Sequence, residues 1–266
     1  MRRLLIRPGA IGDCILSLPA LERWKADYTE VWVPSQVVPL VRFADAVQGI
    51  ASTGLDALEL SPRLIERLRS LDSIMSWYGS NREDFRETVR QLGLPFAFLP
   101  ALPPAHGRIH AADFFLRQAG CDGPAIPRID CPRLAADVRN SAVIHPFSGG
   151  ARKNWPLEKY HELARRMTIS VEWCAGPQEP LDGAVRFDNL YELACWLACA
   201  RVYIGNDSGV THLAAAAGAP VVAIFGPTDP MVWGPRGNVR VIHRPLEEIS
   251  VDDVLDAIEK SLKTAC

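Results

Sequence analysis

The feature that most constrains this chain is its alternation of short apolar runs with amphipathic stretches, clearest after residue 140. Runs at 142–147, 171–175, 202–205, 220–225 and 239–243 read as buried strands, and the stretches 156–167, 189–200 and 209–217 read as helices between them. Strands apolar on both faces and separated by helices predict a parallel sheet covered on both sides, with ligands at the carboxyl ends of the strands. The first half keeps the same rhythm. Leu4-Leu5-Ile6, Val31-Trp32-Val33, Ser73 to Trp77 and Phe96-Ala97-Phe98-Leu99 read as strands, and Arg82 to Leu92 as a helix. Ile15, Leu18, Leu21 and Trp24 mark a helix after the first strand. Pro19 inside it predicts a kink or a short helix, because proline removes a helical hydrogen bond and clashes with the preceding turn.

Between the halves, Gly123 to Pro132 carries three prolines and forbids a regular element. The expected organisation is therefore α/β in two domains, 1–130 and 131–266, facing each other across a cleft. The last helix, 251–262, has Val254, Leu255, Ile258 and Leu262 on one face and is expected to pack back across the domains.

Charge excludes one class of partner. Twenty-nine basic and thirty-one acidic residues leave a formal net charge of −2, without the positive field that tracking nucleic-acid phosphates requires. The apolar part of Arg2-Arg3-Leu4-Leu5-Ile6-Arg7 is too short for a signal peptide, and the longest apolar run, Leu213 to Phe225, is broken by Gly218 and Pro220. A cytoplasmic protein is the expectation. The seven cysteines form no Cys-x-x-Cys pair, which suits reduced thiols better than disulfides or zinc.

Four strand-end turns could carry chemistry. Tyr203-Ile204-Gly205-Asn206-Asp207-Ser208-Gly209-Val210-Thr211-His212 runs from a buried strand into an alanine-rich helix. Free amides and the positive helix end suit an anion there, Gly205 and Gly209 would allow close approach, and Ser208, Thr211 and His212 would add donors. The same pattern also fits Asp207 or Ser208 as a plain helix cap. In His145-Pro146-Phe147-Ser148-Gly149-Gly150-Ala151-Arg152-Lys153-Asn154-Trp155-Pro156, the amides of Ser148 to Gly150 could hold a phosphate and Lys153 neutralise it. Arg152 and Lys153 equally fit solvated surface charges, and no Walker A motif is present.

Pro8-Gly9-Ala10-Ile11-Gly12-Asp13 places a carboxylate where the first strand meets a helix, so Asp13 is either a cap or a general base. In Phe225-Gly226-Pro227-Thr228-Asp229-Pro230, Asp229 is expected to cap a short helix starting at Pro230. No Asp-x-Asp occurs, so no metal site is expected, and no cofactor. Arg82, Arg108 and His110 read as solvated charges or as contacts to an anionic acceptor.

Taken together, Arg7 to Asp13 followed by Leu16-Ser17-Leu18-Pro19-Ala20-Leu21, then His145 to Pro156, Gly205 to Leu213 and Phe225 to Pro230 resemble the heptosyltransferases of glycosyltransferase family 9 in order and spacing. The resemblance implies the GT-B architecture of two Rossmann-like domains, the first binding the acceptor and the second the nucleotide sugar. It implies an inverting glycosyltransferase that moves a sugar, heptose from ADP-heptose foremost, to a hydroxyl of a lipopolysaccharide-core or other glycan or glycolipid acceptor, with peripheral contact at the inner membrane. By it Asp13 is the base. Ser148, Gly149 and Lys153 contact the diphosphate, with Lys153 also serving catalysis. Asp207, Ser208, Gly209 and His212 complete the phosphate cradle. Glu179, in Ala175-Gly176-Pro177-Gln178-Glu179, matches the acidic residue that holds the ribose hydroxyls. The alternatives are a non-catalytic sugar-nucleotide-binding protein of the same fold and a GT-B-fold sugar-nucleotide epimerase.

Overall fold

In the computed structural model, which describes residues 1–57, 60–104, 107–132 and 139–264, the chain divides into two units, Met1–Ala125 and Ile126–Cys266. The division falls inside the proline-bearing stretch 123–132.

The first unit contains β1 (Arg2–Ile6), α1 (Ile11–Arg23), β2 (Tyr28–Val33), β3 (Ala46–Gly49), α2 (Pro62–Arg69), β4 (Ser73–Ser76), α3 (Glu83–Gln91), β5 (Phe96–Phe98) and α4 (Ala111–Gln118). Its five strands pair in parallel in the order β3-β2-β1-β4-β5. Leu4 and Ile6 of β1, Trp32 of β2 and Ile74 of β4 point to one face and meet Leu64 and Leu68 of α2 and Phe85 and Val89 of α3. Leu5, Val31 and Val33 are equally buried on the alternate positions, so the sheet is covered on both sides.

The helix holding Pro19 is neither short nor interrupted. It runs thirteen residues through the proline. Cys14 to Leu18, Ala20 and Leu21 are all buried on it, and this burial outweighs the one hydrogen bond that the ring removes.

The second unit contains β6 (Ser141–His145), α5 (Leu157–Arg166), β7 (Ser170–Trp173), α6 (Leu190–Ala198), β8 (Val202–Asn206), α7 (Gly209–Ala216), β9 (Val221–Phe225), α8 (Pro230–Trp233), β10 (Val239–His243) and α9 (Val251–Thr264). The sheet is again five-stranded and parallel, in the order β10-β9-β8-β6-β7. Ala142, Ile144, Val202, Ile204, Val222 and Ile224 form one face under Tyr160 and Leu163 of α5 and Val251, Val254, Ala257 and Ile258 of α9. The apolar face of α9, which the sequence led us to send back across the domains, is thus occupied on its own sheet. On the opposite face, Tyr203 reaches Thr211 of α7 through its hydroxyl.

Each sheet has a point where consecutive connections run in opposite directions: between β1 and β4 in the first, and between β6 and β8 in the second. Loops leaving neighbouring strands diverge there and open a crevice at the carboxyl ends, the usual place for a ligand in such sheets. Asp13 follows β1, while the Ser148–Lys153 loop follows β6 and Asp207 follows β8.

Candidate functional site

In the second unit, His145 pairs in register with Gly205, so β6 and β8 end side by side. The loop after β6 turns on Ser148, whose hydroxyl donates to the Gly150 carbonyl at 2.9 Å. A Cβ added at Gly149 or Gly150 would meet nothing within 4 Å, so the space around both residues is open. After β8, Ser208 caps α7 by accepting from the Thr211 amide at 3.3 Å. The cap expected at Asp207 or Ser208 is therefore Ser208. The amides of the first turn still lack intrahelical acceptors, as at any helix start, and carry the positive end of the dipole.

Lys153 is ion-paired, with part of its side chain in solvent. Its ammonium lies 2.7 Å from Asp207 Oδ2, and the Asp207 side chain is only 7 % exposed. The Asp207 amide already donates to the Ile224 carbonyl at 3.0 Å. With its amide engaged and its carboxylate negative, Asp207 holds Lys153 in place and offers an anion no direct donor. His212 is buried in the first turn of α7.

Gly205 has a different reason for being glycine than the approach of a ligand: a Cβ there would lie 2.4 Å from the Tyr203 hydroxyl. The tyrosine folds beneath it to meet Thr211. Thr211 Oγ1 also donates to the Asn206 carbonyl and contacts Ser208 Oγ at 3.1 Å.

Glu179 is joined to this assembly through His145, whose Nε2 lies 2.9 Å from Glu179 Oε2. The same oxygen accepts from the Gly176 amide at 2.5 Å. Burial alone would raise the Glu179 carboxyl. The bonds from His145 and Gly176, with the charges of His145 and Arg186, outweigh it and hold the group below its ordinary value.

Sequence reasoning missed Asn206 as the residue that joins the two loops. Wholly buried, it accepts from the Trp155 amide and the Tyr160 hydroxyl, each at 2.9 Å, and donates to the Pro146 carbonyl at 2.8 Å. An uncharged amide at the end of an otherwise apolar strand was the signal available. Beyond these loops, Arg152, Gly226, Pro227, His243, Arg244 and Leu246 line a cavity of about 610 Å³ at the ends of β9 and β10. Asp229 caps α8, accepting from the Met231 amide.

In the first unit, Asp13 Oδ2 accepts from the Ala10 amide at 3.1 Å, so the capping role is real. The half-buried carboxylate makes no second hydrogen bond among the described residues, which leaves Oδ1 available. Gly9, at φ +122°, is required here, since a side chain would be strained and would crowd Asp13 Oδ2 at 3.1 Å. Arg7 is buried beneath, its Nε donating to Ser17 Oγ and its Nη2 to the Asp13 carbonyl, each at 3.2 Å. Phe115 and Trp77 receive the guanidinium on their ring faces at 4.5 and 5.2 Å. Arg82 is bonded to Asp84 and the Tyr78 hydroxyl, and His110 caps α4. Among the described residues no three His, Cys, Asp or Glu side chains are grouped to hold a metal ion.

Residues 188–253, covering α6 to β10 and the start of α9, match the family model for glycosyltransferase family 9 (heptosyltransferase). Lipopolysaccharide heptosyltransferase 1 of Escherichia coli O18:K1:H7 is 27% identical, over 100% of this chain and 99% of that protein. Over residues 188–253 the chain is similar to glycosyltransferase family 9, and over its whole length to a heptosyltransferase at modest identity. Its relatives include lipopolysaccharide heptosyltransferase 1 of Pseudomonas aeruginosa, 33% identical over 104 residues, which are 34% of this chain and 29% of that protein.

Among solved structures, the ADP-heptose LPS heptosyltransferase II of E. coli superposes with a TM-score of 0.75 at 18% identity, covering 100% of this chain and 99% of that one. E. coli heptosyltransferase WaaC with ADP gives 0.73 at 19%, covering 98% and 100%. The fold class read from the sequence, α/β with the two Rossmann-like domains of the GT-B type, is the fold these structures share.

Two predictions test the geometry. Asn206→Ala strands a buried amide N–H, a hydroxyl and a carbonyl, each costing about 1–3 kcal/mol. Urea unfolding should show a loss of at least that for one group, and an unchanged midpoint would show that Asn206 joins nothing. For Glu179 the sign follows from its lowered folded pKa: the stabilisation is present above the ordinary value of 4.5 and is lost as pH falls through the folded value. Glu179→Gln should therefore be less stable than the parent near neutral pH, and the two should converge on acidification. A gap that stays constant would mean that the charge is not involved.

Proposed function

We propose that this protein is a glycosyltransferase that transfers heptose, with inversion, from ADP-heptose to a hydroxyl of a lipopolysaccharide-core or related glycan acceptor. The observation that carries the reading is Lys153, held 2.7 Å from Asp207 beside the start of α7 at the reversal point of the second sheet. A cation fixed next to free helix amides suits a diphosphate, and the names of the similar proteins support heptose as the sugar and lipopolysaccharide as the acceptor.

In the proposed reaction the Asp13 carboxylate takes the proton of the acceptor hydroxyl as its oxygen bonds to the anomeric carbon. The bond from that carbon to the diphosphate oxygen breaks, and ADP leaves with the electron pair. Negative charge grows on the diphosphate along this path, so Lys153 and the α7 amides stabilise the transition state more than the ground state. Ser148 and Gly149 line the diphosphate, Ser208, Gly209 and His212 close the cradle, and Glu179 takes the ribose. Because the acceptor is a glycolipid, the protein works at the cytoplasmic face of the inner membrane. Among the described residues no helix is long and apolar enough to cross a membrane.

Asp13→Asn should lower turnover by about 10²-fold or more while leaving ADP affinity unchanged, since the base acts on the acceptor. Steady-state kinetics beside calorimetry measures both, and turnover within a few-fold of the parent would reduce Asp13 to a helix cap. Titration with ADP, UDP and GDP tests the donor. ADP should bind best, and equal affinities or a preference for UDP would remove ADP-heptose as the donor.

A further inference from the structure

His145 closes β6 with its ring 2 % exposed. Its Nε2 is bonded to Glu179, and Nδ1 is buried with no hydrogen-bond partner among the described residues. A carboxylate oxygen can only accept, so Nε2 carries a proton and donates it to Glu179. The bond's consequence lies at the other end. Glu179 is held by Oε2 alone, through His145 from β6 and the Gly176 amide from its own turn. Oε1 has no partner among the described residues, and the side chain is 29 % exposed. A carboxylate clamped by one oxygen presents the other, with two acceptor positions, at a fixed place. One oxygen with two acceptor positions can receive both hydroxyls of a neighbouring pair.

We propose that His145 is a positioning residue for the nucleoside of the donor, fixing Glu179 so that its free oxygen receives the vicinal ribose hydroxyls. The inference rests on the nucleotide-sugar reading above. Without the imidazole N–H, the carboxylate is tethered only by the Gly176 amide and can turn to solvent, and ordering it falls on the ligand. The ribose lies away from the bond that breaks, so the effect belongs to ground-state and transition-state binding alike.

The test compares ADP with 2′,3′-dideoxy-ADP by calorimetry on the full chain. His145→Phe keeps the ring volume and removes the donor, whereas His145→Gln places an amide N–H at similar reach. The parent should bind ADP about 10- to 100-fold more tightly than the dideoxy nucleotide, as hydrogen bonds to a charged group allow. In His145→Phe the ratio should fall to within about 3-fold through loss of ADP affinity, with the dideoxy affinity unchanged. His145→Gln should recover most of the ratio. In turnover, donor KM should rise in His145→Phe while kcat at saturating donor holds.

A preserved ratio in His145→Phe, or an equal loss for both nucleotides, overturns the proposal. A parent that does not distinguish the two also overturns it, yet leaves the donor reading to the ADP, UDP and GDP comparison. A parent that binds no adenine nucleotide fails both.

Discussion

The candidate donor site depends on one buried carboxamide. Asn206 ends β8, where its side chain binds Pro146 and Trp155 at the two ends of the loop after β6 and Tyr160 in α5. The loop contains Ser148, Gly149 and Lys153, so the residues offered to an anion are pinned to the neighbouring strand rather than free on the surface. Trp155 carries the fixation further, since its indole N–H donates to the Ile249 carbonyl just before α9. Lys159 donates to the same carbonyl. Thus the covered face of the second sheet, α5, α9 and the loop that follows β6 form one hydrogen-bonded body, and a displacement of any part strands buried polar groups.

Strand order explains why these loops coincide with chemistry. In the second sheet β6 is flanked by β7 and β8, and in the first β1 is flanked by β2 and β4. Chain connections leave such a central strand toward opposite sides, and helix starts on the two sides point their amides at the same opening. The first unit uses its opening to hold Asp13 on a rigid base. A buried guanidinium beneath it is enclosed by aromatic rings and bonds the backbone of the helix that carries the carboxylate.

Much of this was legible in the sequence, for a local reason. Short apolar runs ending in small polar turns specify strand, loop and helix start within a dozen residues, and the strands at 202–206, 221–225 and 239–243 fall where hydropathy put them. The turn motifs also located the loops that leave β1, β6, β8 and β9. What escaped was long-range pairing: the Asn206 bonds span 46 to 60 residues and the His145 bond to Glu179 spans 34. No periodicity reports such contacts. Gly205 shows the same limit, because the side chain that requires its bareness is Tyr203, placed there by the packing of α7. Pro19 shows how burial overrides a local preference, and the strand β3 with helices α2 and α4 went unread because their apolar patterns are short or mixed with charge.

The pairing of Lys153 with Asp207 gives the site a property that neither residue has alone. Asp207 is nearly enclosed, and a buried carboxylate without a cation would be strongly destabilising, on the order of 3–5 kcal/mol where such pairs have been broken. Lys153 is 39 % exposed, so its ammonium answers the buried charge from one side and faces solvent on the other. Its long side chain is therefore ordered before any ligand arrives, and the entropy of fixing it is charged to folding rather than to binding. In the proposed reaction, a diphosphate entering beside α7 would meet a cation whose charge is partly offset by Asp207. That offset would temper the grip on the bound ground state and leave the helix amides to respond as negative charge builds on the leaving group. On departure of the nucleotide, Asp207 would again hold the full charge of Lys153, so the loop would be electrostatically satisfied without the product.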